Sequence, residues 1–103
     1  MFDNQRYITR GIDTEIPLWL QVFMWEAINF IPKSDYLQIF RLEPFGTMQR
    51  ITHEQEQPPF RREYLIPTDN PMTQKIYIID SIDYSTMLLA EEDNVNSFLK
   101  FYW

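Results

Sequence analysis

His53, Glu54 and Glu56 are the residues whose types and spacing come nearest to a catalytic or metal-binding group in this chain. An imidazole close to carboxylates can bind a metal ion or act as a general base. On a β-strand, however, successive side chains point to opposite faces, so the histidine and the two glutamates diverge unless Pro58 and Pro59 bend the chain. We therefore expect a solvated polar strand here, with a metal-binding or hydrolytic site as the alternative.

The other residue types exclude most further catalytic chemistry. The sequence of 103 residues contains no cysteine and one histidine, which removes thiol catalysis, disulfides and thiolate zinc sites. Its serines lie outside any serine-elbow motif, and two glycines are too few for a glycine-rich nucleotide loop. The sequence therefore predicts a protein that is not an enzyme and has no cofactor or metal, although folding can still bring carboxylates together for acid catalysis.

The charge of the chain bears on its partners. Nine Lys and Arg residues stand against fifteen Asp and Glu residues, which gives a net charge of −6. Phosphate contacts supply most of the affinity for nucleic acid, so binding to nucleic acid is disfavoured, and anionic lipid surfaces repel such a chain. The acidic charge allows a weaker hypothesis, in which the protein is an acidic inhibitor that competes with nucleic acid for a nucleic-acid-binding protein.

The segment Ile16–Ile31 is the strongest indication of an interaction surface. Its sequence, IPLWLQVFMWEAINFI, predicts a helix that is apolar on nearly every side. A helix on the surface of a small domain needs only one apolar face, and here Leu20, Phe23, Met24 and their neighbours form that core face. A second stripe remains, and it consists of Leu18, Val22 and Trp25.

This second stripe is expected to bind a protein. An exposed apolar patch bordered by polar residues is typical of a contact surface, and tryptophan is a frequent interface anchor. The partner would be a second copy in a homodimer or an unidentified protein. The alternative is that the C-terminal segment 98–103 folds back and covers the stripe. At about 16 residues the apolar segment is shorter than the roughly 20 needed to span a membrane, so we expect a cytoplasmic protein.

The remaining pattern places these residues on an α+β domain. Strands are predicted over 6–12, 36–43, 47–55, 60–66, 75–80 and 85–90, because β-compatible runs alternate with Pro- and Gly-containing turns. Val95, Phe98, Leu99 and Tyr102 have the spacing of a short C-terminal helix. We predict a single domain over residues 1–103, with an antiparallel sheet of about five strands packed against the long helix of the N-terminal half.

Four segments also carry a family resemblance. They are RYITRGIDTEIP (residues 6–17), DYLQIFRL (35–42), HEQEQPP (53–59) and TMLLAEED (86–93). With these segments in the same order, the chain resembles a family of small proteins of unknown function from staphylococci, related Gram-positive bacteria and their phages. The resemblance implies a bacterial cytoplasmic protein without an assigned activity, and it transfers no catalytic residue. A non-enzymatic interaction or accessory module is the function that we predict.

Overall fold

A mixed β-sheet with one covering helix forms the two layers of the computed structural model, which describes residues 1–94 and 100–102. The elements, in chain order, are β1 Gln5–Thr9, α1 Arg10–Glu15, α2 Leu18–Ile28, β2 Leu37–Phe45, β3 Met48–Gln55, β4 Phe60–Pro67, β5 Gln74–Asp80, β6 Tyr84–Leu89, a 3₁₀ helix Ala90–Asn94 and β7 Lys100–Tyr102. The described residues bury a single apolar cluster between the sheet and α2.

Within the described residues, the sheet has seven strands in the order β4-β3-β2-β5-β6-β1-β7. Strands β2, β3 and β4 form an antiparallel meander, and β5 and β6 form a hairpin beside it. The first strand pairs in parallel with β6, with Tyr7 opposite Thr86, and antiparallel with β7. The N-terminal strand is therefore inserted between two strands from the C-terminal third of the chain.

The core lies on the face of the sheet that α2 covers. In register, Phe40 lies opposite Ile76, which in turn lies opposite Leu89, so alternate residues of neighbouring strands share this face. The largest fully buried side chains of the cluster are Trp25, Phe2, Phe40, Ile12, Leu20, Met24, Leu42, Ile51, Ile76, Ile78, Met87 and Leu89. Phe23 of α2 extends the contact outward, with its ring edge-on to that of Tyr64 at 4.9 Å.

The predicted sheet was wrong in pairing and in size. An antiparallel sheet of about five strands was expected, whereas the sheet is mixed, because β1 and β6 are parallel, and it has seven strands, the last with only three residues. The short C-terminal helix is also not confirmed. Tyr102, one of its four predicted residues, lies in β7, and the other three, Val95, Phe98 and Leu99, are outside the described range.

The helical region differs from its prediction as well. The helix expected over 16–31 is shorter, Leu18–Ile28, and begins directly after Pro17, whose fixed φ suits a helix start. The strand expected over 6–12 ends at Thr9, and the chain continues as the short helix α1. Thr9 caps α1 with its side-chain oxygen, which accepts a hydrogen bond from the Ile12 amide.

The Glu92 carboxylate holds the junction between β1 and α1 against the end of β6. It accepts hydrogen bonds from the Thr9 hydroxyl at 2.5 Å, the Gly11 amide at 3.1 Å and the Leu89 amide at 2.9 Å. A Cβ at Gly11 would lie 2.7 Å from this carboxylate and from the end of the Leu89 side chain, so any larger residue must displace one or both of them. Two parts of the chain that lie more than 80 residues apart in sequence therefore meet at one charged side chain.

We expect Glu92→Gln to lower the free energy of unfolding by about 1.5–3 kcal/mol, because an amide cannot accept the same set of hydrogen bonds as the carboxylate. Glu91→Gln is the matched control, since Glu91 is exposed and lies next along the chain. Urea denaturation followed by circular dichroism measures both. Equal stabilities of the two variants would contradict a structural role for Glu92.

Candidate functional site

The structure separates the three residues of the predicted metal-binding or hydrolytic site. His53 points to the helix-covered face of β3 and is fully buried. Glu54 lies on the opposite face, where its carboxylate pairs with the Arg41 guanidinium at 2.9 Å. Glu56 is exposed in the turn that follows the strand. Within the described residues no group of three or more His, Asp or Glu side chains can hold a metal ion, so the structure gives this alternative no support.

His53 belongs instead to a buried chain of polar side chains. Its Nε2 lies 2.6 Å from Oε1 of Gln38, and Nε2 of Gln38 donates to Oε1 of Gln55 at 2.7 Å. Gln55 in turn donates to the backbone oxygens of Lys33 and Pro58. Because the Gln38 oxygen can only accept, the histidine proton lies on Nε2. This chain ties β2 and β3 to two loops.

The imidazole is held neutral. Its ring stacks on the ring of Phe40, with centroids 4.2 Å apart, and lies edge-on to Phe60. Burial and, to a smaller extent, the positive charge of Arg62 lower the pKa of His53 from 6.5 to about 4. The expected solvated strand is therefore wrong, because β3 buries Gln49, His53 and Gln55 on one face. The full burial of His53 leaves its imidazole without contact with solvent.

The predicted stripe on α2 is divided by the structure. Leu18 and Val22 are 68% and 40% exposed, whereas Trp25 is 0% exposed. All three lie on one side of the helix, but Trp25 is about 10 Å further along the axis than Leu18, at 1.5 Å per residue. At that point the indole packs under the Arg6 guanidinium of β1, 4.7 Å from the ring centroid. Trp25 is thus a core residue, and the expectation that it is exposed was wrong.

Trp19 takes part in the exposed surface instead. It is 41% exposed, and it lines a shallow depression with Ile66, Pro67 and other residues at the end of β4. Together with Leu18 and Val22 it makes the first two turns of α2 apolar toward solvent. We call these three residues the α2 patch. One sequence signal could have identified Trp19, namely its place in a helix that is apolar on nearly every side.

A cleft of about 790 Å³ lies beside the α2 patch, where α1 ends and α2 begins. Its lining residues are Ile8, Asp13, Thr14, Glu15, Ile16, Pro17, Leu18, Gln21 and Val22. Ile8 and Ile16 are buried, while Asp13 and Glu15 are exposed. The volume falls in the range of roughly 300–1,000 Å³ that is usual for ligand sites. Sequence reasoning missed this cleft, because it depends on the separation of α1 from α2 at Pro17.

Fold and site together define a small two-layer protein, in which one mixed sheet is covered by one helix and an exposed cluster of apolar side chains lies where that helix begins. The chain belongs to the family described as staphylococcal protein of unknown function (DUF960), whose model matches residues 5–92. The predicted family resemblance is thereby confirmed. Family membership assigns no activity to the site.

The fold is similar to that of a solved protein. The crystal structure of a protein of unknown function from Enterococcus faecalis superposes with a TM-score of 0.77 at 21% sequence identity, over 87% of this chain and 91% of that chain. At this identity the similarity shows the fold alone. No curated protein matches the sequence. Of the helices that the structure describes, none combines the length and the apolar composition needed to cross a bilayer.

Proposed function

We propose that the protein is a non-enzymatic protein-binding module, and that its partner contacts the α2 patch and the adjoining cleft. The observation that carries this proposal is the exposure of Leu18, Trp19 and Val22, three large apolar side chains within five consecutive residues. Exposed apolar groups clustered beside a cleft are typical of interaction sites, and tryptophan is enriched among interface anchors. Trp25 supports this surface from below, as part of the core that fixes α2 on the sheet.

The oligomeric state is the first test of this proposal. Light scattering over a concentration series distinguishes a homodimer from a monomer that contacts another protein. If the protein dimerises through the α2 patch, the dimer dissociates in a Leu18→Ser/Val22→Ser variant. If the protein is a monomer at every concentration, the partner is to be sought among other proteins of the cell. We propose the cytoplasm as the location, and fractionation of cells that express the protein checks this.

Site-specific photo-crosslinking tests the contact surface directly. We expect a crosslinking residue placed at Val22 to give a discrete product, while the same residue at Ile82, which is 88% exposed, gives none. Leu18→Ser should abolish the product, and it should change the free energy of unfolding by less than about 1 kcal/mol, because exposed side chains contribute little to stability. Crosslinking of equal yield at Val22 and Ile82, from a protein that is monomeric at every concentration, would overturn the proposal.

A further inference from the structure

The charges around the cleft restrict what can occupy it. Asp13 and Glu15 line the cleft, and exposed Glu26 lies one turn beyond Val22 on α2. No Lys or Arg is among the lining residues. Over the described part of the chain, none of the three carboxylates forms an ion pair with a Lys or Arg side chain. Within the described residues, the hydrogen bond that Glu15 accepts comes from the neutral amide of Gln74, at 3.1 Å.

The same cleft requires an apolar occupant. Ile8 and Ile16 lie buried at its base, and the exposed side chains of Leu18 and Val22 border it. An occupant that covers these side chains removes apolar surface from water, at a gain of about 25 cal/mol per Å². It also comes close to three carboxylates that lack a counter-charge. Complementary potential across an interface favours binding, whereas like charges placed opposite each other oppose it.

A second copy of this chain fits these requirements poorly. In a two-fold symmetric dimer each copy presents the same surface to the other. Such a dimer through the α2 patch would bring Asp13, Glu15 and Glu26 of one copy toward the same residues of its partner. The net charge of −6 on each chain adds to the repulsion. The charge distribution therefore favours a different protein as the occupant.

We infer that the cleft and the α2 patch bind a cationic amphipathic segment of another protein, in which apolar side chains enter the cleft and flanking Lys or Arg residues pair with Asp13, Glu15 and Glu26. This inference rests on the proposed function and specifies the chemistry of the partner. The apolar contacts supply the burial, and the carboxylates select the charge of the segment. Increasing salt concentration weakens the second contribution far more than the first.

Three matched peptides test the inference with the intact protein. Each is a fluorescein-labelled amphipathic helix with Leu on one face, and the other face carries Lys in the first peptide, Gln in the second and Glu in the third. We expect the Lys peptide to bind at least about tenfold more tightly than the Gln peptide at low salt, with a difference that shrinks as salt is added, and the Glu peptide to bind weakest. Fluorescence anisotropy gives the three dissociation constants.

Variants locate the binding and separate the two contributions. Asp13→Asn/Glu15→Gln should raise the dissociation constant of the Lys peptide about tenfold and leave that of the Gln peptide unchanged. Glu56→Gln/Asp83→Asn is the control, since it removes two exposed carboxylates that are not among the residues lining the cleft and changes the total charge by the same amount. Leu18→Ser/Val22→Ser should lower the affinity of every peptide that binds the wild-type protein.

Each contrary result has a distinct meaning. If the control variant lowers the affinity of the Lys peptide as much as Asp13→Asn/Glu15→Gln does, the total charge of the protein explains the attraction and the inference fails. If the Lys and Gln peptides bind equally and both are lost in Leu18→Ser/Val22→Ser, the cationic requirement fails while the protein-binding surface stands. If no peptide binds and the protein forms a dimer that Leu18→Ser/Val22→Ser dissociates, the occupant is a second copy. That result overturns the inference and leaves the proposed function intact.

Discussion

Replacing Trp25 with alanine is expected to lower the free energy of unfolding by about 3–5 kcal/mol, the usual cost of truncating a buried tryptophan. The side chain is 0% exposed and is among the largest in the core. Its removal leaves a cavity between α2 and the sheet, and it also removes the aromatic face on which the Arg6 guanidinium lies at 4.7 Å. Since a whole domain is stable by only about 5–15 kcal/mol, we expect the variant to be partly unfolded at physiological temperature.

Urea denaturation followed by far-ultraviolet circular dichroism measures this loss, and Trp19→Ala is the matched control. Trp19 lies on the same helix but is 41% exposed, so its truncation should cost less than about 1 kcal/mol. The effect on binding is expected to be different, because Trp19→Ala should weaken the binding of the partner while the fold stays intact. If Trp25→Ala were as stable as Trp19→Ala, Trp25 would belong to the partner-binding surface that the sequence predicted.

The local elements of the sheet were predictable because their signals lie within a few residues. Strands expected over 75–80 and 85–90 are observed as Gln74–Asp80 and Tyr84–Leu89, which pair as an antiparallel hairpin. In the turn between β2 and β3, glycine allows positive φ, as Gly46 does at φ 63°. The strands of the meander were likewise expected, with boundaries that shift by one or two residues.

The position of β1 in the sheet could not be predicted from local sequence patterns. Its parallel partner β6 and its antiparallel partner β7 both come from the other end of the chain. A parallel pair has no tight turn that would announce it, so local residue patterns carry no information about which distant strand it joins. An antiparallel sheet was the expectation for consecutive hairpins, and the insertion of β1 between β6 and β7 changed it to a mixed one.

The candidate site shows a similar division between local and distant information. Helical spacing placed Leu18, Val22 and Trp25 on one stripe, and two of the three are exposed. The spacing gives the angle of a residue around the helix axis, whereas burial also depends on what lies beneath each turn. Arg6 of β1 meets the turn that contains Trp25, and this contact arises only in the folded sheet. Val22 and Leu18, about one and two turns nearer the start of the helix, remain exposed.

His53 was misread for a related reason, and its burial leads to the second large effect. Glutamine and histidine along β3 resemble a solvated strand when only the neighbours in sequence are considered. Gln38 of β2 satisfies the imidazole Nε2 from a strand 15 residues away, which allows the ring to be fully buried. The neutral form is then the only one that the site accommodates, since a charged imidazolium would lie against Phe40 without access to water.

We expect the stability of the protein to fall steeply between about pH 6.5 and pH 4. In the unfolded chain His53 takes up a proton near pH 6.5, whereas burial and Arg62 lower its pKa in the folded protein to about 4. Within this window the unfolded state binds more protons, so acid favours unfolding, and above the window the full stability is present. Because each tenfold change in proton affinity is about 1.4 kcal/mol, the loss reaches about 3 kcal/mol near pH 4.

A His53→Gln variant isolates this contribution from that of the carboxylates, which also titrate in acid. Glutamine can donate to Gln38 but cannot take up a proton. The free energy of unfolding of the wild type should therefore exceed that of the variant most at pH 7, and the difference should shrink toward pH 4. Urea denaturation across the pH range gives the difference, and the NMR titration of the single histidine gives its pKa directly. Parallel stability curves with a native pKa near 6.5 would mean that solvent reaches the imidazole. The ring would then be available as a ligand, and the hypothesis of a site at His53 would return.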